Sequence, residues 1–304
     1  MCTLFEPPRD AHIVFLGDST IRYLYIALAF AWRHGHELRQ IDYIEEPGGF
    51  DWRAFYDNSS ALLADWCDCY RTHCCKAHHP VMENRFLRNL SHGAKVTYLQ
   101  LFGREVPMRG SWWPGLPDSD RTVHSSWAPK WSMPFTKTIH TLLQLLRPTV
   151  VVINLGHHLH TPLHAQELQS MGDSFARLNA TIVWATTMQC MKSDQRCNPM
   201  VPKLDEGPTA YFKSRFGLMF PAAELTRNLS RECFRDGMHV DFRMNNCLSA
   251  RLVHLLWPNA TGNAARPWPS CEVVLAKCGL AVDNPPQALS DVMVDLYHAL
   301  LVHI

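Results

Sequence analysis

The 304 residues contain no long hydrophobic run. The most apolar stretch, residues 23–32, is ten residues closed by Arg22 and Arg33, whereas a membrane-spanning helix takes about 20. Residues 1–11 lack the apolar core of a signal peptide. Charge of one sign is missing too. Lys and Arg total 29 against 28 Asp and Glu, both scattered, with no basic stripe or acidic tail. That excludes nucleic acid and anionic membrane surfaces as expected partners. Neither internal repeats nor low-complexity segments occur, and the composition, 47% apolar and 19% charged, is that of a globular chain with a sizeable core.

Cysteine and sequons, by contrast, are plentiful. There are 11 cysteines, at positions 2, 67, 69, 74, 75, 190, 197, 233, 247, 271 and 278. Five of the twelve asparagines open Asn-x-Ser/Thr sequons: Asn58, Asn89, Asn179, Asn228 and Asn259. Together they point to the secretory pathway, as a Golgi-lumenal or secreted protein with disulfides. The expectation is a lumenal domain whose signal or anchor is missing from this sequence; the alternative is a cytoplasmic protein. Cys190 and Cys197 flank one loop and could pair, and a Cys233–Cys247 pair would brace the segment between them.

The run His12-Ile13-Val14-Phe15-Leu16 stops at Gly17-Asp18-Ser19 and gives way to an apolar helical pattern over residues 21–32. Further strands are expected at 38–44, 95–102, 149–155 and 180–187, and helices at 135–146, 163–178 and 243–256. Strands alternating with helices predict an α/β fold, with a mainly parallel sheet covered on both faces. Such sheets place their sites at the carboxyl ends of strands, where Gly17-Asp18-Ser19, Gly103 and Gly156-His157 would meet. Two segments read as loop insertions, the cysteine-rich 65–80 and the tryptophan- and proline-rich 107–134. Residues 1–257 form the expected catalytic domain, and 258–304 an extension packed on it.

A serine at the first position of a helix sits beside free backbone N–H groups and the positive end of the helix dipole. Those donors suit a developing oxyanion. The serine also needs a base, and the base a carboxylate to fix its tautomer. Asp236 and His239, three residues apart just before a helix, supply both. Gly-Asp-Ser alone is a weak signal, because Gly172-Asp173-Ser174 repeats it. The second copy follows Glu167-Leu168-Gln169-Ser170-Met171, which has no strand character, and reads as a helix or loop serine.

In order and spacing, Ser19 in Phe-Leu-Gly-Asp-Ser-Thr-Ile-Arg, Asn154 in Val-Val-Val-Ile-Asn-Leu-Gly-His-His, and Asp236-Gly-Met-His239 resemble the SGNH (GDSL-type) hydrolases. More narrowly they are similar to the PC-esterase and Trichome birefringence-like branch, which includes polysaccharide O-acetyltransferases. There an arginine commonly follows the serine by three residues, as Arg22 does. A third block reads Asn-x-Gly-His-Trp, matched by residues 154–158 except that His158 replaces the tryptophan. The resemblance implies a three-layer α/β/α sandwich with a flavodoxin-like sheet, and Ser19, Asp236 and His239 as the triad. For the oxyanion hole and substrate it implies a glycine, for which Gly103 is the candidate, and Asn154, Gly156, His157 and Arg22. Asn154 precedes its glycine where the wider family has Gly-x-Asn, so it is either a site residue or a strand residue, with Gly156 or His157 lining the site. Arg22 either binds a carbonyl or acidic sugar, or holds the turn through an ion pair.

The implied activity is ester hydrolysis or acetyl transfer on an acylated carbohydrate or similar ester, with an acetyl donor in the transfer case and no cofactor or metal. A catalytically inactive glycan-binding relative is one alternative. A zinc-dependent deacetylase built on His157, His158, His160 and His164 is another. The cluster Cys67, Cys69, Cys74 and Cys75 with His73, His78 and His79 suits zinc or disulfides, but its spacing is not that of the common structural zinc sites. Trp112, Trp113, Trp127 and Trp131 offer flat faces on which sugars stack, or pack beneath a long loop.

Overall fold

A computed structural model describes residues 7–39, 52–71, 81–88, 90–101, 104–108, 122–123, 131–191, 194 and 197–258. The chain opens with β1 (His12–Gly17) and α1 (Ser19–His34). Asp18 caps α1 by accepting from the Thr20 N–H, and Gly35, in the left-handed conformation, closes it. Helix α1 is buried from Thr20 to Trp32. Its all-round apolar surface is therefore a core helix and not a membrane segment. Next come α2 (Trp52–Leu63), β2 (Trp66–Arg71), β3 (Val81–Leu87) and β4 (Lys95–Gln100). A small antiparallel sheet follows, formed by β5 (Glu105–Met108), β6 (Thr122–Val123) and β7 (Trp131–Pro134). The next helical stretch is α3 (Phe135–Lys137), a π-helical turn over Thr138–Leu142, and α4 (Leu143–Leu146). The remaining elements are β8 (Val150–Ile153), α5 (Ala165–Ala176), β9 (Thr181–Ala185), α6 (Val201–Phe216), β10 (Met219–Phe220), α7 (Ala222–Thr226) and α8 (Phe242–Leu256).

The main sheet has seven strands in the order β10-β9-β8-β1-β4-β3-β2. The first five run parallel, while β3 and β2 are antiparallel additions at one edge. Numbered among themselves, the parallel strands follow the flavodoxin order, whose switch point lies between β1 and β8. Successive side chains of β1 point to opposite faces. Ile13 and Phe15 join one core with α1 and α8. Val14 and Leu16 join the other with Leu168, Phe175 and Phe212 of α5 and α6. A strand buried on both faces reads as an unbroken apolar run, which is why β1 stands out in the sequence.

The α/β/α sandwich with a mainly parallel sheet is thus observed. Several local expectations need correction. The strand expected at 38–44 is absent at Leu38 and Arg39, which are irregular, and residues 40–44 lie outside the described residues. Segment 65–80 is not simply a loop, because 66–71 form β2. Segment 107–134 likewise contributes to the small sheet. Cys190 pairs with Cys197 as expected, Cys67 pairs with Cys69, and Cys233 and Cys247 are also disulfide-bonded. Of the expected extension, residues 259–304 lie outside the described residues. Among those described, no helix is long and apolar enough to cross a membrane.

Candidate active site

Ser19 is the first residue of α1, directly past the carboxyl end of β1. Its turn is fixed from two sides. From β4, the buried Tyr98 hydroxyl reaches the carbonyls of Gly17 and Asp18 at 3.2 and 3.0 Å. From the loop after β8, the His157 N–H donates to Asp18 Oδ2 at 2.8 Å, while Asp18 Oδ1 accepts from the Thr20 N–H and hydroxyl at 2.9 and 2.6 Å. Gly156 holds φ = 66°, and a Cβ there would run into the Asp18 carboxyl group. Glycine is therefore required on both counts. Burial opposes the charge on Asp18, but His157, His158 and these donors hold its carboxyl below the usual range.

The base comes from the other end of the chain. A bridge between Phe234 and Val240 pinches off a turn, closed by Arg235 N–H donating to His239 O at 2.8 Å. Within it, Asp236 Oδ1 accepts from the backbone N–H groups of Met238 and His239. The Asp236 carboxylate lies 3.0–3.1 Å from His239 Nδ1. A carboxylate only accepts, so Nδ1 carries the proton and Nε2 presents its lone pair. Ser19 Oγ is 2.7 Å from Nε2 and donates to it. Burial pushes the His239 imidazole below its ordinary range, Asp236 partly restores it, and the Arg22 charge lowers it again. Burial thus favours the neutral imidazole, the form able to take a proton from Ser19.

Of the two readings open for each, Arg22 and Asn154 take the inward one, as ion-pair and strand residues. Arg22 is only 1% exposed, and its Nη1 donates to Glu83 Oε2 at 2.8 Å. Glu83 in turn takes Arg85 Nε, and Arg85 reaches Asp65, forming a buried network behind the site. Arg22 also lies over the Tyr23 ring, 4.5 Å from its centroid, and Tyr23 meets the His239 ring edge-on at 5.1 Å. Its ion pair fixes the ground beneath the base. Asn154, at the end of β8, spends its amide N–H groups on Ala185 O and Thr187 Oγ1, both at 2.9 Å. Thr187 N–H donates in turn to Asp205, whose carboxyl burial pushes up to about 6. Asn154 therefore ties β8 to the end of β9. His157 is buried with its Nε2 on Met188 O, so it positions the turn with Gly156. Gly103 lies outside the described residues. Among those described, no group of three or more His, Cys, Asp or Glu side chains is placed to hold a metal ion.

Sequence reading passed over three residues here. Asp18 stands immediately before a helix, an N-cap signature that was legible. Tyr23 packs on the base, and nothing in its apolar surroundings signals that. His158 stands out in the sequence as a histidine of the 157–164 cluster and as the departure from the third block's tryptophan, not as a neighbour of the base. It lies within electrostatic reach of Asp18 and His239, and burial pushes its imidazole down against the pull of Asp18.

Fold and site define an α/β protein of flavodoxin strand order carrying a Ser–His–Asp constellation at the switch point. No family model and no curated protein matches the chain. Among solved structures, one described as the crystal structure of TesA aligns with 83% of this chain and 98% of its own, at 12% identity and a TM-score of 0.35.

Proposed function

We propose that this chain is an SGNH-type serine enzyme that cleaves or transfers O-acyl groups of glycans. The observation that carries this reading is the unbroken relay from Asp236 through His239 to Ser19 Oγ at 2.7 Å. Ser19 Oγ attacks the acyl carbonyl as His239 Nε2 takes its proton, and Asp236 stabilises the imidazolium. The Ser19 N–H at the start of α1 meets the oxyanion, with Gly103 as the proposed second donor. Collapse expels the sugar oxygen, protonated by His239. Water or a second sugar hydroxyl then releases the acyl group by the same steps in reverse.

The glycan assignment draws on the motif resemblance at residues 15–22, 154–158 and 236–239 and on the tryptophans of segment 107–134. Disulfides support an oxidising compartment, hence the secretory pathway, with residues 1–257 as the catalytic domain and 258–304 as an extension of it. Incubation with acetylated and unacetylated glycans, followed by mass spectrometry, should show acetate release or transfer that Ser19→Ala abolishes. Undiminished turnover by Ser19→Ala would sink the assignment.

A further inference from the structure

Two of the sequons lie on exposed turns that the proposed chemistry does not use. Asn179-Ala180-Thr181 lies between the end of α5 and the start of β9, with Asn179 and Thr181 both exposed. Asn228-Leu229-Ser230 follows α7, with Asn228 exposed in a left-handed turn at φ = 62° and Ser230 exposed as well. Asn58 differs. It sits in the middle of α2, half-buried, and its sequon hydroxyl, Ser60 Oγ, accepts from the buried Arg85 at 3.3 Å. Asn89 and Asn259 lie outside the described residues.

We infer that Asn179 and Asn228 are N-glycosylation sites of this protein. Acceptor asparagines belong on surface turns, where a bulky glycan displaces no packing, and both meet that condition. The disulfides are a separate observation pointing to the same compartment. The donor is an oligosaccharide carried on a polyprenyl diphosphate. The side-chain amide nitrogen of each asparagine forms a bond to the anomeric carbon, the bond from that carbon to the phosphate oxygen breaks, the polyprenyl diphosphate departs and the amide loses one proton. Since β1, β8 and β9 are parallel, Asn179 lies at the end of the sheet where strands start, and Ser19 lies at the end where they finish. A glycan on Asn179 therefore stands about a strand length from the nucleophile and leaves it open.

The test uses full-length protein purified from cells that express it naturally, digested with a peptide-N-glycosidase in heavy-oxygen water. Peptides containing residues 179 and 228 should carry aspartate labelled with one heavy oxygen. An unmodified asparagine at either position overturns the assignment of that residue, and unmodified asparagine at both overturns the inference. Asn179→Gln and Asn228→Gln should each remove one step of gel mobility while fluorophosphonate labelling of Ser19 stays unchanged. That labelling reports separately on the proposed activity, so either reading can fail without the other.

Discussion

At residues 17–19, Gly-Asp-Ser joins a strand end to a helix start; at residues 172–174 the same tripeptide lies inside α5. In the first copy the aspartate is 1% exposed, caps a helix and gathers three hydrogen bonds. In the second, Asp173 sits at the surface against Gln169 and Arg215. The first serine meets an imidazole, whereas the second, Ser174, is buried within α5. Gly172 lets the Tyr211 hydroxyl of α6 pack close against α5. Backbone setting, not residue identity, separates a candidate nucleophile from packing.

The sharpest way to break this contrast is to remove each hydroxyl in turn. Ser19→Ala should cut turnover by about 10⁴-fold or more, as loss of a nucleophile does. Ser174→Ala should leave turnover unchanged. Equal losses in an acetate-release assay would show that the two copies do not differ as their surroundings imply.

Next in size are the aspartates. Asp18→Ala strands buried donors of Thr20 and His157, which should destabilise the fold by about 2–4 kcal/mol in urea titration and lower turnover as the Ser19 turn loosens. A midpoint unchanged from the native protein would show that Asp18 does not hold the turn.

The pH response belongs to the first copy alone. His239 is depressed by burial, so its neutral, active form persists below the ordinary histidine range near 6.5. The acid limb of kcat/KM should fall below that value as pH drops and His239 takes up a proton. Asp236→Asn removes a charge that raises this pKa, so the remaining activity should have its limb at still lower pH. A limb displaced to higher pH would contradict the assigned contacts.

Legibility followed surroundings in the same way. The β1–α1 junction was readable because an apolar strand ends abruptly at a turn and cap. Strand β3 was not, because Glu83, Asn84 and Arg85 are all fully buried in it, where apolar patterning sees only polar residues. Their charges are matched within the network to Arg22 and Asp65, a pairing that exists only once distant segments meet. Helix α6 was hidden by Pro202, Gly207 and Pro208, though Val201, Leu204 and Phe212 form its buried stripe. The hydrogen-bonded Ser19–His239–Asp236 constellation was readable as residue types and spacing. The inward turn of Arg22 and Asn154 was not, since a sequence does not reveal whether a donor meets substrate or a neighbouring strand.

The smallest expected effect tests the second copy directly. Asp173 and Arg215 form a 2.6 Å pair with side chains 46% and 27% exposed, and Arg215 lowers the carboxyl of Asp173 chiefly through that hydrogen bond. Water and salt screen such a pair, so its geometry overstates its contribution. Asp173→Asn should therefore leave turnover unchanged and the melting midpoint within experimental scatter, at low salt as well as high. A clear loss of turnover would mean that α5 acts on the site through the loop at its N-terminus, where Arg104 reaches Thr161, Pro162 and Glu167. The same tripeptide would then matter twice, once by chemistry and once by holding a helix in place.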